Sequence, residues 1–247
     1  MLKLLRARMS QGWQYVPDVR KAQTPGYRGL PTVNQTDCES GCQACTDICP
    51  TNAIKLDPVQ IDLGRCVFCA ECASVCPTKK IEFTPEYKMA ASSRETLVVR
   101  QGRALSPVEV SGEIRKLFGR SLKLRSVSAG GCNGCELEIN ALTNVNFDIG
   151  RFGIDFVASP RHADGLVLSG PISKNMASAL DATYQAMPDP KFVIAVGTCA
   201  ISGGIFDGSP ALERSFLERF KPKLYVPGCP PHPLTFINGV LDLLGCP

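Results

Sequence analysis

The residues best suited to chemistry in this chain are its cysteines, thirteen in 247 residues. Residues 66–77 read CVFCAECASVCP, a C-x2-C-x2-C-x3-C-P run. Two-residue gaps let a tight loop turn Cys66, Cys69 and Cys72 toward one small cofactor. The three-residue gap and the proline throw Cys76 out of that loop. This spacing holds a 4Fe–4S cube by three near thiolates, while the fourth reaches a second cube. A second run is therefore expected, and residues 38–50 read CESGCQACTDICP, with cysteines at 38, 42, 45 and 49. Its first gap is one residue longer, and Gly41 can absorb the extra residue in a tight turn. The spacing assigns one cluster to Cys38, Cys42, Cys45 and Cys76. The other takes Cys49, Cys66, Cys69 and Cys72. Zinc is the competing reading for C-x2-C pairs. Structural zinc sites separate two pairs by a long spacer, whereas each run here packs four cysteines into about a dozen residues and ends in Cys-Pro.

The runs belong to the spacing of bacterial ferredoxins, and the elements around them fit a small α+β module. Residues 53–56 and 81–84 each follow a Cys-Pro and read as short strands, an internal repeat. Ile48, Val67, Phe68 and Val75 are expected to give the clusters apolar cover, which with hydrogen bonds to sulfur sets their potentials. Residues 32–87 are expected to form this two-cluster domain.

The surroundings are those of an ordinary globular chain: 44% hydrophobic, 20% charged, net charge +4. So many cysteines without a secretory signal pattern point to metal–thiolate sites in a reducing cytoplasm, not to a disulfide scaffold. No apolar run approaches the roughly 20 residues that a membrane span needs. The charge is uneven: residues 1–30 carry six basic and one acidic residue, and residues 31–90 five basic and eight acidic. The basic excess is thus an N-terminal arm (1–31), without the aromatic interleaving of a nucleic-acid surface. Residues 1–9, MLKLLRARM, predict a short helix with Met1, Leu2, Leu5 and Met9 on one face and Lys3 and Arg6 on another. Such a helix suits an anionic membrane surface or a partner subunit. Residues 11–31 have no period and read as an extended arm.

Residues 88–122 read as a linker with one helix. Ser106-Pro107-Val108-Glu109 is a capping-box pattern, Val110, Ile114, Leu117 and Phe118 recur at helical spacing, and Gly119 suits the stop. Residues 123–247 alternate strand and helix. Strands are expected at 124–127, 154–158, 165–168, 192–196 and 224–226, and helices at 137–142, 173–187, 211–220 and 234–244. That alternation predicts an α/β domain with a parallel sheet, and ligands in such sheets sit beyond the carboxyl ends of the strands. Cys132 and Cys135 (AGGCNGCELE), Cys199 (VGTCAISGG) and Cys229 (VPGCPPHP) all fall just after expected strands, in glycine-bearing loops. They make a third four-cysteine site, with inert buried cysteine or zinc as the alternatives. Cys246 is left over as a structural or free thiol.

These motifs carry a specific resemblance. The pieces FGRSLKLRSVSAGGCNGCELEINAL, DIGRFGIDFVASPRHADGLVLSGP, PDPKFVIAVGTCAISGGIF and VPGCPPHP resemble the small subunit of membrane-bound nickel–iron hydrogenases of formate hydrogenlyase type. They also resemble the homologous N2-cluster subunit of respiratory complex I. Residues 1–90 resemble the two-cluster ferredoxin subunit of the same complexes, so two subunits are fused here. The resemblance implies a flavodoxin-like sheet with a third 4Fe–4S cluster at Cys132, Cys135, Cys199 and Cys229. It implies an electron wire of three clusters to a catalytic large subunit on another chain, next to membrane subunits of an ion-pumping complex. A ferredoxin or a formate dehydrogenase module would meet the far end, on the cytoplasmic face of the membrane. The complex I subunit uses adjacent cysteines for its first ligand pair. Cys132-Asn133-Gly134-Cys135 is of the hydrogenase type, although a complex I-like quinone oxidoreductase remains the alternative. A zinc-stabilised scaffold would instead be colourless. Glu136 and Glu138 are expected to serve as helix or salt-bridge charges, with proton relay as the alternative. His162 is a surface or interface residue. His232 is expected to be structural, with tuning of the third cluster as the alternative.

Overall fold

The computed structural model of the chain describes residues 2–12, 14–103, 105–119 and 121–246. Its first helix, α1 (Leu2–Gln11), has no buried residue. Met1 of the expected apolar face lies outside the described residues. Leu2, Leu5 and Met9 are 75%, 55% and 82% exposed.

The cysteine-rich half is built from two small antiparallel sheets. In chain order it runs β1 (Pro31–Val33), α2 (Ala44–Asp47), β2 (Ile54–Lys55), β3 (Gln60–Asp62), α3 (Glu71–Ser74), β4 (Ile81–Phe83) and β5 (Val98–Arg100). A strand follows each Cys-Pro, as expected, but the two enter different sheets. β4 pairs with β1, Val33 opposite Ile81. β2 pairs with β3, and β3 with β5. The stretch expected as a linker therefore contributes a strand, β5, to the sheet beside β3. Its helix also begins later than the capping box predicts: α4 spans Gly112–Phe118, and the Ser111 side chain accepts from the Ile114 N–H. Ser106 does not cap it. The Glu109 N–H instead donates to Ser92 Oγ, and Val110 is 51% exposed.

The second half is a five-stranded parallel sheet, with helices on its faces: β6 (Leu122–Ser128), α5 (Gly134–Ala141), β7 (Ile154–Phe156), β8 (Gly165–Ser169), α6 (Lys174–Gln185), β9 (Phe192–Val196), α7 (Thr198–Ser202), α8 (Ser215–Arg219), β10 (Leu224–Val226) and α9 (Pro233–Leu243). The strand order is β10-β9-β8-β6-β7, the flavodoxin-like arrangement, which reverses direction between β6 and β8. β8 and β9 are buried at every residue, as central strands covered on both faces must be. Alternation sends Val167 and Ile194 to one core with α9, and Leu166, Leu168, Val193 and Ala195 to the other. The helix expected at 211–220 shortens to α8, because residues 211–213 pair outward. Lys174 N–H donates to Ala211 O, and Glu213 N–H to Ile172 O.

The two halves share a core. Leu63, Cys66 and Leu97 lie in one buried cluster with Val127, Leu168, Ala200 and Ile201. Residues 14–30 strap across both halves. Val19 is 3% exposed, and its carbonyl accepts from Tyr87 Oη at 3.0 Å and Asn238 Nδ2 at 2.9 Å. Arg20 donates to Asn238 Oδ1, Asp242 Oδ1 and the Cys246 carbonyl. Charge-assisted hydrogen bonds of this kind are worth about 1.5–3 kcal/mol. Arg20→Ala is expected to lower the unfolding free energy by about that amount, read as a lower denaturant midpoint at unchanged slope.

Candidate metal centres

The structure gathers twelve cysteines into three sets of four. Cys38, Cys42, Cys45 and Cys76 line one small cavity. Cys49, Cys66, Cys69 and Cys72 line a second. Cys132, Cys135, Cys199 and Cys229 line a third. Cys246 stands apart, its carbonyl held by Arg20. Among the described residues no three or more His, Cys, Asp or Glu side chains converge to hold a single metal ion. The cysteine sets ring open volumes instead.

Local backbone conformation turns the sulfurs inward. Gly41, in the longer first gap, has φ of +74°, the left-handed turn that absorbs the extra residue. In the second run Phe68 and Ala70 take φ of 55° and 66°. Each Cys-Pro crossover is fixed by the backbone that follows it. Ala53 N–H donates to Cys49 Sγ at 3.3 Å, and Lys80 N–H to Cys76 Sγ at 3.2 Å. Phe68 N–H donates to Cys66 Sγ at 3.3 Å. Such bonds favour thiolate over thiol. The apolar cover is thinner than expected. Phe68 is buried, but Ile48 and Val75, at the C-terminal ends of α2 and α3, are 43% and 38% exposed.

The third cavity sits at the carboxyl ends of β6, β8, β9 and β10, where the reversal in strand order opens a crevice. A side chain on Gly197, at φ of +86°, would meet Cys135 Sγ at 2.5 Å, so only glycine lets β9 run this close to the sulfur. Glu136, in the first turn of α5, accepts from Ser169 Oγ at 2.5 Å. Burial pushes its pKa up, but the hydrogen bonds of Ser128 and Ser169 outweigh it, and the net direction is down. Of the two expected structural roles, salt bridge or helix charge, Glu136 takes the second, as an acidic residue in the first turn of α5 held by these hydroxyls. Burial raises Glu138. His162 is exposed. His232 caps α9, its Nδ1 accepting from Leu234 N–H at 3.1 Å, with its ring 4.9 Å from that of Tyr27.

Burial and mutual repulsion dominate the electrostatics. Desolvation, with smaller contributions from neighbouring cysteines, pushes Cys66 up to about 12 and Cys72 to about 11. Desolvation, then Glu136 and the other three sulfurs, pushes Cys135 up to about 12. Cys199 rises to about 11. At Cys76 burial raises the pKa, but hydrogen bonds from Lys80 and Thr78 outweigh it and the net direction is down. Buried thiols beside other sulfurs suit a cation that replaces their protons. Four sulfur donors in each cavity, with N–H groups aimed at sulfur in the first two and a glycine cradle in the third, are a donor set that an iron–sulfur cluster would fit.

Two contacts lay beyond sequence reasoning. Thr198 Oγ1 donates to the Cys66 carbonyl at 2.7 Å and lies within 3.1 Å of the Gly228 carbonyl. It joins the residue before Cys199 to a cysteine of the second cavity. Arg214 donates to the carbonyls of Pro171, Cys199, Ala200 and Ile201 at 2.8–3.1 Å, closing the end of α7 behind Cys199. Neither belongs to a spacing motif. The pairing of residues 132 positions apart leaves no local signal.

Residues 132–243 match the family described as NADH ubiquinone oxidoreductase, 20 Kd subunit. Residues 18–80 match the 4Fe-4S dicluster domain. The chain is 41% identical over 130 residues to the probable membrane-bound hydrogenase subunit mbhJ of Pyrococcus furiosus, covering 52% of this chain and 77% of that one. It is 39% identical over 140 residues to formate hydrogenlyase subunit 7 of Escherichia coli, covering 57% and 55%. It is 41% identical over 109 residues to a subunit of the NADH-quinone oxidoreductase of Geotalea daltonii, covering 44% and 64%. The match thus spans less than two thirds of the length of the latter two.

Two measurements test this geometry. Thr198→Val removes the donor from the buried Cys66 carbonyl and is expected to cost about 1–3 kcal/mol of stability, read by chemical denaturation. Burial lowers the pKa of His232 below its ordinary 6.5. A depressed histidine contributes stability that is present above pH 6.5 and lost as pH falls toward the folded value. A pH series of unfolding midpoints is expected to fall below pH 6.5, and His232→Asn, which keeps a capping side chain, is expected to flatten that part of the fall.

Proposed function

The chain belongs to the family of the NADH ubiquinone oxidoreductase 20 Kd subunit, and on that premise we propose that it is the electron-transfer subunit of a membrane-associated nickel–iron hydrogenase complex of formate hydrogenlyase type. The observation that carries the reading is the meeting of twelve cysteines as three sets of four. In this reading Cys38, Cys42, Cys45 and Cys76 hold an outer 4Fe–4S cluster, Cys49, Cys66, Cys69 and Cys72 a middle one, and Cys132, Cys135, Cys199 and Cys229 an inner one. Each cluster, when bound, takes up and releases single electrons.

The chain's own residues position that traffic. Cys38 is exposed and Cys66 is buried, so the first cavity faces an external redox partner and the second faces the interior. Thr198 ties the second cavity to the third. Cys132 and Cys229 are exposed, and so are Leu137, Ile205 and Phe206 near Cys135 and Cys199. An exposed apolar rim around a redox site fits a protein partner, here the large subunit that would carry the catalytic centre. A ferredoxin or formate dehydrogenase module is the proposed partner at the other end. No helix among the described residues is long and apolar enough to cross a membrane. The exposed leucines of α1 with Lys3, Arg6 and Arg8 fit a place against an anionic membrane surface or its integral subunits, on the cytoplasmic side.

The second reading is a complex I-like assembly in which the inner cluster reduces quinone, favoured by the NADH-quinone relative. The Cys132-x2-Cys135 spacing supports the hydrogenase instead. Elemental analysis of the complex isolated anaerobically through this chain decides between them. About twelve iron atoms from this chain's three clusters and close to one nickel per copy are expected after the partner chains' own iron is subtracted. Full iron without nickel would move the chemistry to quinone. Iron near eight would overturn the third site.

A further inference from the structure

The two ferredoxin-like runs repeat each other beyond their cysteines, and the repeat is broken at one buried position. Residues 49–54 read CPTNAI and residues 76–81 read CPTKKI. The geometry is shared. Asn52 and Lys79 both have φ of 50°. The hydroxyls of Thr51 and Thr78 lie 3.9 and 3.7 Å from Cys49 Sγ and Cys76 Sγ. The fifth residue of each, Ala53 or Lys80, donates its N–H to the same sulfur. Both fifth residues are buried, at 3% and 6% exposure. One is a methyl group and the other an ammonium.

Lys80 is thus a cation placed where the repeat asks for a small apolar residue. It lines the cavity of Cys38, Cys42, Cys45 and Cys76, and Ala53 lines the cavity of Cys49, Cys66, Cys69 and Cys72. Lys80 Nζ donates to the Thr36 carbonyl. Among the described residues it forms no ion pair within 4.0 Å. Asp37, Glu39 and Asp57 share the outer groove with it, but they are exposed and water screens them. With no ion partner among the described residues, its charge stands beside the cavity that it lines. A burial cost without an ion partner is sustained where another charge balances it, and a four-thiolate cluster is an anion that gains one more negative charge on reduction.

We propose that Lys80 holds the outer cluster at a higher reduction potential than the middle one, making it the resting place for an electron in the cysteine-rich half. The proposal rests on the cluster reading above. A fixed cation favours the more negative, reduced state, and net charge near the sulfurs is one of the levers on such potentials. Low local dielectric makes that lever long.

The test is a redox titration of the whole complex followed by electron paramagnetic resonance, with iron counted in each variant. Lys80→Met is expected to lower one of the two couples of the cysteine-rich half by about tenfold in its reduction equilibrium, ~59 mV for one electron. The other couple stays in place, Lys80→Arg keeps the original value, and Lys79→Met, at the exposed neighbouring site, moves neither. Lys80→Gln, which retains a donor toward Thr36, reads the same shift if the apolar variant loses iron. Full iron with no shift, or an equal shift in Met and Arg variants, would overturn the role of Lys80. Absence of both couples from the unsubstituted protein would instead overturn the cluster assignment on which it stands.

Discussion

Sulfur that is both buried and crowded is the constraint that the rest of this molecule depends on. Cys66 and Cys135 are pushed up to about 12 because water is excluded from them and because other thiols stand beside them. Left alone, these two sulfurs hold protons instead of charge. A metal core that displaces those protons converts repulsion among four sulfurs into shared attraction. The N–H groups of Ala53, Phe68 and Lys80, and the close approach at Gly197, make sense against that requirement: they bring donors and backbone to the sulfurs without bringing water.

Two different architectures meet it. In the cysteine-rich half, each cavity takes three cysteines from one run and one from the other, so neither loop closes without its twin. In the parallel sheet, sequence-distant loops converge because β6, β9 and β10 run the same way and end on one edge. The reversal of strand order at β6 and β8 opens the crevice. The strap of residues 14–30 and the common core around Leu63, Leu97 and Ile201 hold the two designs together. Separate small subunits would need a binding interface for that purpose. Here it is part of one fold.

The fold class and the grouping of cysteines were legible because both rest on local, repeated signals: gaps of two and three residues, and buried strands such as 192–196 with no polar interruption. What was not legible depended on long-range pairing. Ser106 carries every local mark of a cap, yet Ser111 caps α4, since the preceding backbone is drawn to Ser92. The helix at α8 is cut short by pairing with residues 172–174. Ile48 and Val75 read as cover because they are apolar, but position at a helix end leaves them exposed. Thr198 and Arg214 reach groups that the chain brings near only after the sheet has formed. Lys80 was a different case: its repeat partner Ala53 was visible, and only its burial turned a routine lysine into an anomaly.

The bond from Thr198 to the Cys66 carbonyl has a kinetic corollary. Many redox proteins pass electrons only when a mobile domain swings into reach, and their turnover slows as the medium thickens. In this chain the second and third cavities are joined by a buried hydrogen bond within a continuous core. On the proposed reading, an electron passing between these two sites would need no swing of one half against the other, and solvent viscosity would have little purchase on that step. Any friction would belong to the exposed ends, at Cys38 and Cys229.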